Sequence, residues 1–76
     1  MAEKRFKTEL RFFGSRIEKF RKQKKMTQLD LEVACGISRT EISKIENGLK
    51  NIEFITIIKL ADALEVETYK LFTDEA

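Results

Sequence analysis

The chain has 76 residues, 42% of them hydrophobic and 37% charged, with three glycines and no proline. That size suits one domain with one modest core, and that composition favours an ordered helical chain over a disordered or strand-rich one. A lone cysteine, Cys35, and the lack of any histidine exclude disulfide frameworks, Cys/His zinc sites and histidine-based acid–base catalysis, so no metal, cofactor or enzyme activity is expected. The net charge of +2 hides an asymmetry: residues 1–50 carry 13 Lys/Arg against 7 Asp/Glu, and residues 51–76 carry 2 against 6. A basic front half attracts nucleic acid, anionic lipid or an acidic protein, and charge alone does not choose among them. The N-terminus is charged and lacks the apolar stretch of a signal peptide, and no later run is as long as a membrane span, so a soluble, cytoplasmic protein is expected.

Phe6, Leu10, Phe13, Ile17 and Phe20 recur at spacings of four and three and predict one stripe of a first helix ending near Lys25. Thr27 follows the basic run Arg21–Lys25 and suits the N-cap of a second helix, with Asp30 as the acidic residue three positions on. Gly36 stands where that helix needs a left-handed terminator. Ser38-Arg39-Thr40-Glu41 has the form of a capping box, in which serine and glutamate each bond the other's backbone N–H. A third helix therefore starts at Ser38, buries Ile42 and Ile45, and ends at Asn47-Gly48. Phe54, Ile57, Leu60, Ala61 and Leu64 form the inward stripe of a fourth helix, and Val66, Leu71 and Phe72 close the chain with a short fifth. Ile55 and Ile58 fall off that stripe, leaving the fourth helix more apolar than one core needs. The expected fold is all-α, with five helices.

Two short helices joined by a glycine turn, the second firmly capped, describe a helix-turn-helix. The run Thr27-Gln28, Leu31, Gly36-Ile37-Ser38, Ile42-Ser43, Ile45-Glu46-Asn47-Gly48, then Leu60-Ala61 and Leu64, resembles the Cro and phage-repressor (XRE-type) family. The resemblance covers residues 12 to 72 and implies a compact lambda-repressor-like DNA-binding domain over that range, with the motif as helices 2 and 3. Residues 1–11 then form an N-terminal extension, as an early start of helix 1 or an arm folded back, and residues 73–76 form a tail.

The resemblance also implies roles. Arg39, Thr40, Ser43 and Lys44 would contact base edges in the major groove of double-stranded DNA, Arg39 and Lys44 donating to guanine and the Thr40 methyl meeting a thymine methyl. Thr27, Gln28, Asn47, Lys50 and Asn51 would touch the phosphate backbone and set register. Arg21 and Glu46 match a salt bridge that joins the first and third helices. Glu32 stands where the family usually has a small residue, so its stem must lean along the helix interface and its head reach water or a cation. Cys35 holds a small core position and reads as a buried apolar group.

The leading expectation is a homodimer that binds a two-fold symmetric operator, with Ile55, Ile58, Tyr69 and Phe72 as the candidate subunit interface and no small-molecule ligand. The competing reading is a protein-interaction module that also binds DNA, such as an antitoxin gripping a toxin, or a regulator touching the transcription machinery. A neighbouring restriction–modification operon would instead suggest a controller protein, a short single-domain type of the same family.

Overall fold

The computed structural model describes residues 2–74 and contains only helices among them. In chain order these are α1 (Ala2–Gln23), α2 (Gln28–Cys35), α3 (Arg39–Glu46) and α4 (Phe54–Leu64), followed by a 3₁₀ helix over Thr68–Phe72. There are thus four α-helices, and the expected fifth is a single tight segment in which the Lys70 N–H donates to the Glu67 carbonyl at 3.0 Å. Such i→i+3 bonding persists only over short runs. Residues 75 and 76 of the expected tail lie outside the described residues.

The helix α1 is continuous from Ala2. Its stripe divides by depth: Phe13 and Ile17 are buried, Phe20 packs half-buried against the core, and Phe6 is 62% exposed. The core beneath it gathers Leu31 of α2, Ile42 and Ile45 of α3, Leu60, Ala61 and Leu64 of α4, and Leu71 of the 3₁₀ helix, with Ile37 filling the turn of the motif. Each fully buried aliphatic side chain contributes about 1.5–3 kcal/mol.

Two expectations about burial need correcting. Phe54 is 67% exposed rather than inward, because it opens α4, where the body of the domain no longer reaches it. At about 100° per residue, Phe54, Ile55 and Ile58 share one arc of the helix, and all three are exposed. Cys35, at the C-terminal end of α2, is half-buried, packing against the core from its edge. Burial pushes its thiol pKa up, which keeps it protonated and a poor nucleophile.

The joints of the fold are polar and specific. Thr27 caps α2 in full: its hydroxyl accepts from the Asp30 N–H at 3.0 Å while the Asp30 carboxylate accepts from the Thr27 N–H at 2.8 Å. Those two bonds hold the Asp30 carboxyl below its ordinary pKa. Gly36 terminates α2 at φ 78°, its N–H donating to the Glu32 carbonyl. Arg16, buried on α1, donates through Nε and Nη2 to the Lys70 carbonyl at 3.3 and 3.2 Å and stacks its guanidinium over the Phe20 ring. That clip ties the 3₁₀ helix to α1, and Phe72 tilts its ring against Phe13 with centroids 5.4 Å apart.

Candidate nucleic-acid interface

The helix α3 lies across α1 at unusually close range. A Cβ on Gly14 would fall 2.2 Å from the Ile45 carbonyl oxygen and 2.7 Å from that of Glu46, so only glycine lets the two backbones meet there. Buried Ile42, Ile45 and Glu46 form the inner side of α3, and Arg39, Thr40 and Lys44 stand exposed on the outer side with Ser43 half-buried between them. The four residues expected to read bases therefore lie on the side of α3 away from the core.

The angle of α3 is fixed by a buried network. The Arg21 guanidinium meets the Glu46 carboxylate side-on, Nε to Oε2 at 2.7 Å and Nη2 to Oε1 at 2.9 Å, and its Nη1 donates to the Met26 carbonyl at 2.9 Å. The side chains are 9% and 3% exposed. The Glu46 carboxylate holds the Arg21 pKa above its ordinary value through these hydrogen bonds, against the opposing effect of burial. The paired geometry suits a planar guanidinium and no other cation. Gln28 joins the network, its Nε2 donating to Glu46 Oε1 at 3.0 Å, so the residue expected on a phosphate is also braced from behind. Three segments, α1, the start of α2 and the end of α3, converge on one carboxylate.

The N-terminus of α3 is held by two side chains. Ser38 Oγ accepts from the Glu41 N–H at 3.1 Å, but only this half of the expected capping box is made. A Glu32 carboxylate oxygen, Oε1, accepts from the Arg39 N–H at 2.7 Å. The head of Glu32 thus reaches a backbone donor on the opposite helix of the motif. It satisfies an N–H that the helix cannot pair internally and places negative charge at the positive end of the helix dipole. Glu41, relieved of the reciprocal bond, sits half-buried.

At the other edge, exposed Asn47 donates from Nδ2 to the Ser43 carbonyl at 2.8 Å, closing α3. Gly48 then turns the chain at φ 71°, and a Cβ there would lie 2.7 Å from Arg11 Cγ and 3.0 Å from the Arg11 backbone. Lys50 is half-buried and Asn51 exposed in the loop that follows. At the start of α2 the cap uses the N–H groups of Thr27 and Asp30, and those of Gln28 and Leu29 belong to the first turn, whose N–H groups a helix cannot pair internally. The structure thus brings Thr27, Gln28, Arg39, Thr40, Ser43 and Lys44 into one region, with Asn47, Lys50 and Asn51 at its α3 C-terminal margin. Ile55, Ile58, Tyr69 and Phe72 lie outside it, exposed on α4 and the 3₁₀ helix. Among the described residues no cluster of His, Cys, Asp or Glu could hold a metal, and no helix is long and apolar enough to cross a membrane.

A family model for the helix-turn-helix matches residues 17–71, which takes in the C-terminal part of α1, the motif, α4 and most of the 3₁₀ helix. The chain belongs to the XRE-type helix-turn-helix family of transcriptional regulators. Within that family it is 37% identical over 60 residues to the uncharacterized HTH-type transcriptional regulator y4dJ of Sinorhizobium fredii, covering 79% of this chain and 78% of that one. It is 32% identical over 63 residues to the control protein C.MunI of a Mycoplasma species, covering 82% and 85%. The crystal structure of the restriction-modification controller protein C.AhdI from Aeromonas hydrophila is similar with a TM-score of 0.83 at 34% identity, covering 86% of this chain and 98% of that one. XRE-type proteins carry a DNA-binding helix-turn-helix, here α2 and α3.

Proposed function

We propose that this protein is a cytoplasmic, sequence-specific regulator that binds a two-fold symmetric DNA operator as a homodimer, with α3 in the major groove. The observation that carries the reading is the outer side of α3: Arg39, Thr40, Ser43 and Lys44 face away from the core on a helix whose inner side is locked by the Arg21–Glu46 pair. Arg39 and Lys44 are the guanine readers, and Thr40 offers a methyl and a hydroxyl to a neighbouring pair. Thr27, Gln28, Asn47, Lys50 and Asn51 fix register on the phosphates. No catalytic role is assigned to any residue.

Dimerisation uses the second apolar face of α4. Phe54, Ile55 and Ile58 are exposed together, and Tyr69 and Phe72 extend apolar surface onto the 3₁₀ helix. A small domain gains stability by covering such a patch with its own copy, and two-fold pairing would set the recognition helices about 34 Å apart, one turn of DNA. Likeness to C.AhdI and C.MunI favours the controller type over the antitoxin reading. The test is quantitative binding of operator DNA at fixed salt by the wild type, Arg39→Ala and Lys44→Ala. Each variant should lose about 1–3 kcal/mol of discrimination at one base position in each half-site. Binding and base preference indifferent to both substitutions would overturn the assignment of α3.

A further inference from the structure

We propose that the first three turns of α1 carry a second contact to the DNA backbone, in which Lys4, Lys7 and Arg11 bind phosphates flanking the segment gripped by the helix-turn-helix. The inference rests on the DNA-binding reading above and extends it to a stretch of chain that precedes the family match at residue 17.

Three observations support it. Lys4, Lys7 and Arg11 are exposed and, together with Glu3 and Thr8, line one shallow hollow on α1. Their spacing of three and four puts them on one side of the helix over a rise of about 10 Å, enough to meet successive phosphates that rise 3.4 Å apart along one strand. Second, this strip starts at the margin of the DNA interface. The Arg11 backbone packs against Gly48, directly after α3, and the neighbouring side of α1, through Phe6, Glu9 and Leu10, faces Asn51. The strip is thus a continuation of the loop to which Asn47, Lys50 and Asn51 are assigned as phosphate contacts.

Third, these cations are not engaged within the fold. Arg16, Arg21, Lys22 and Lys24 each have a carboxylate partner, whereas Lys4, Lys7 and Arg11 have none among the described residues. Glu3 is the one acidic residue in their hollow, so the strip keeps a net positive charge. Unpaired cations held on a helix that is already ordered contact a polyanion without the entropy cost of ordering a flexible arm.

The experiment compares the wild-type chain with Lys4→Gln/Lys7→Gln, both positions fully outside the core, and with the charge-keeping Lys4→Arg/Lys7→Arg. Operator affinity is measured between 50 and 200 mM salt on a long duplex and on one trimmed to the α3 footprint. Each lost phosphate contact lowers the slope of log K against log salt by about 0.9. A homodimer of the Gln variant loses two contacts per protomer, so its slope should be smaller by about 4 on the long duplex, and its affinity should fall roughly a hundredfold less than that of the wild type across the salt range. Base preference and behaviour on the trimmed duplex should stay as in the wild type, and the Arg variant should match the wild type throughout. Wild-type slope and affinity in the Gln variant overturn this inference alone. A loss traced by sedimentation to weakened self-association also overturns it and assigns the strip to an acidic protein surface. A wild-type chain that binds no DNA overturns the functional reading together with it.

Discussion

Glu46→Ala removes the acceptor on which α1, α2 and α3 converge. It deletes two charge-assisted bonds from Arg21, at 2.7 and 2.9 Å, and one from Gln28 at 3.0 Å, leaving the guanidinium with only the Met26 carbonyl. The Arg21 side chain is 9% exposed, so water cannot readily replace what is lost. Deleting one partner of a buried pair costs about 3–5 kcal/mol, because the other charge stays buried without compensation. A domain of this length is stable by roughly 4–11 kcal/mol, so about a quarter or more of the total is at stake. At about 4–8 °C per kcal/mol for small domains, Tm should fall by at least ~12 °C. Urea and thermal unfolding followed by circular dichroism measure this directly. Replacing both partners, Arg21→Met with Glu46→Leu, should recover most of the loss, since apolar groups of similar volume often match or exceed a buried ion pair. A cost below ~1 kcal/mol for Glu46→Ala, the range of exposed pairs, would refute the reasoning. So would a double variant no more stable than the single.

Gly14→Ala should destabilise by at least 1–3 kcal/mol in the same unfolding assay, since its methyl would sit 2.2 Å from the Ile45 carbonyl oxygen and drive α3 off α1. Glu32→Ala strips the carboxylate from the Arg39 N–H; a loss of about 0.5–2 kcal/mol is expected, with weaker operator binding in titrations at fixed salt. The Asp30 carboxyl has a depressed pKa in the folded state, so its charge stabilises the fold above the ordinary aspartate value of about 3.9. That stabilisation disappears as pH falls through the lower folded value. Asp30→Asn should accordingly be less stable than wild type at pH 6 and converge with it in acid, as urea midpoints against pH would show. Ile55→Asp with Ile58→Asp should leave the circular dichroism of the monomer intact and abolish concentration-dependent dimerisation in analytical ultracentrifugation.

Local rules made the motif legible. Thr27 with Asp30, Gly36, and Ser38 with Glu41 mark helix ends by chemistry confined to a few neighbouring residues, and the Arg21–Glu46 pair followed from the family resemblance. What stayed hidden depended on contacts between distant segments. Nothing near Gly14 announces that α3 crosses there, because a glycine inside a helix is equally compatible with no close neighbour at all. Glu32 drew notice only as a departure from the family, and its bond to the Arg39 N–H depends on how the turn folds one helix over the other. Nothing in the sequence singles out Arg16, which the Lys70 carbonyl and the Phe20 ring bury. Phe54 obeyed the helical spacing of α4 yet faces out, since periodicity gives the side of a helix and not how far along its length the core extends. The fifth helix came out as 3₁₀ because its length leaves little room for i→i+4 bonding.

The most direct test of DNA reading by α3 is unbiased selection of duplexes bound by the full chain from a random pool. The expected result is enrichment of one two-fold symmetric sequence whose half-sites recur about one helical turn apart, and Arg39→Ala should relax the preference at one position in each half. A pool that shows no enrichment, or an enriched site without symmetry, would contradict it.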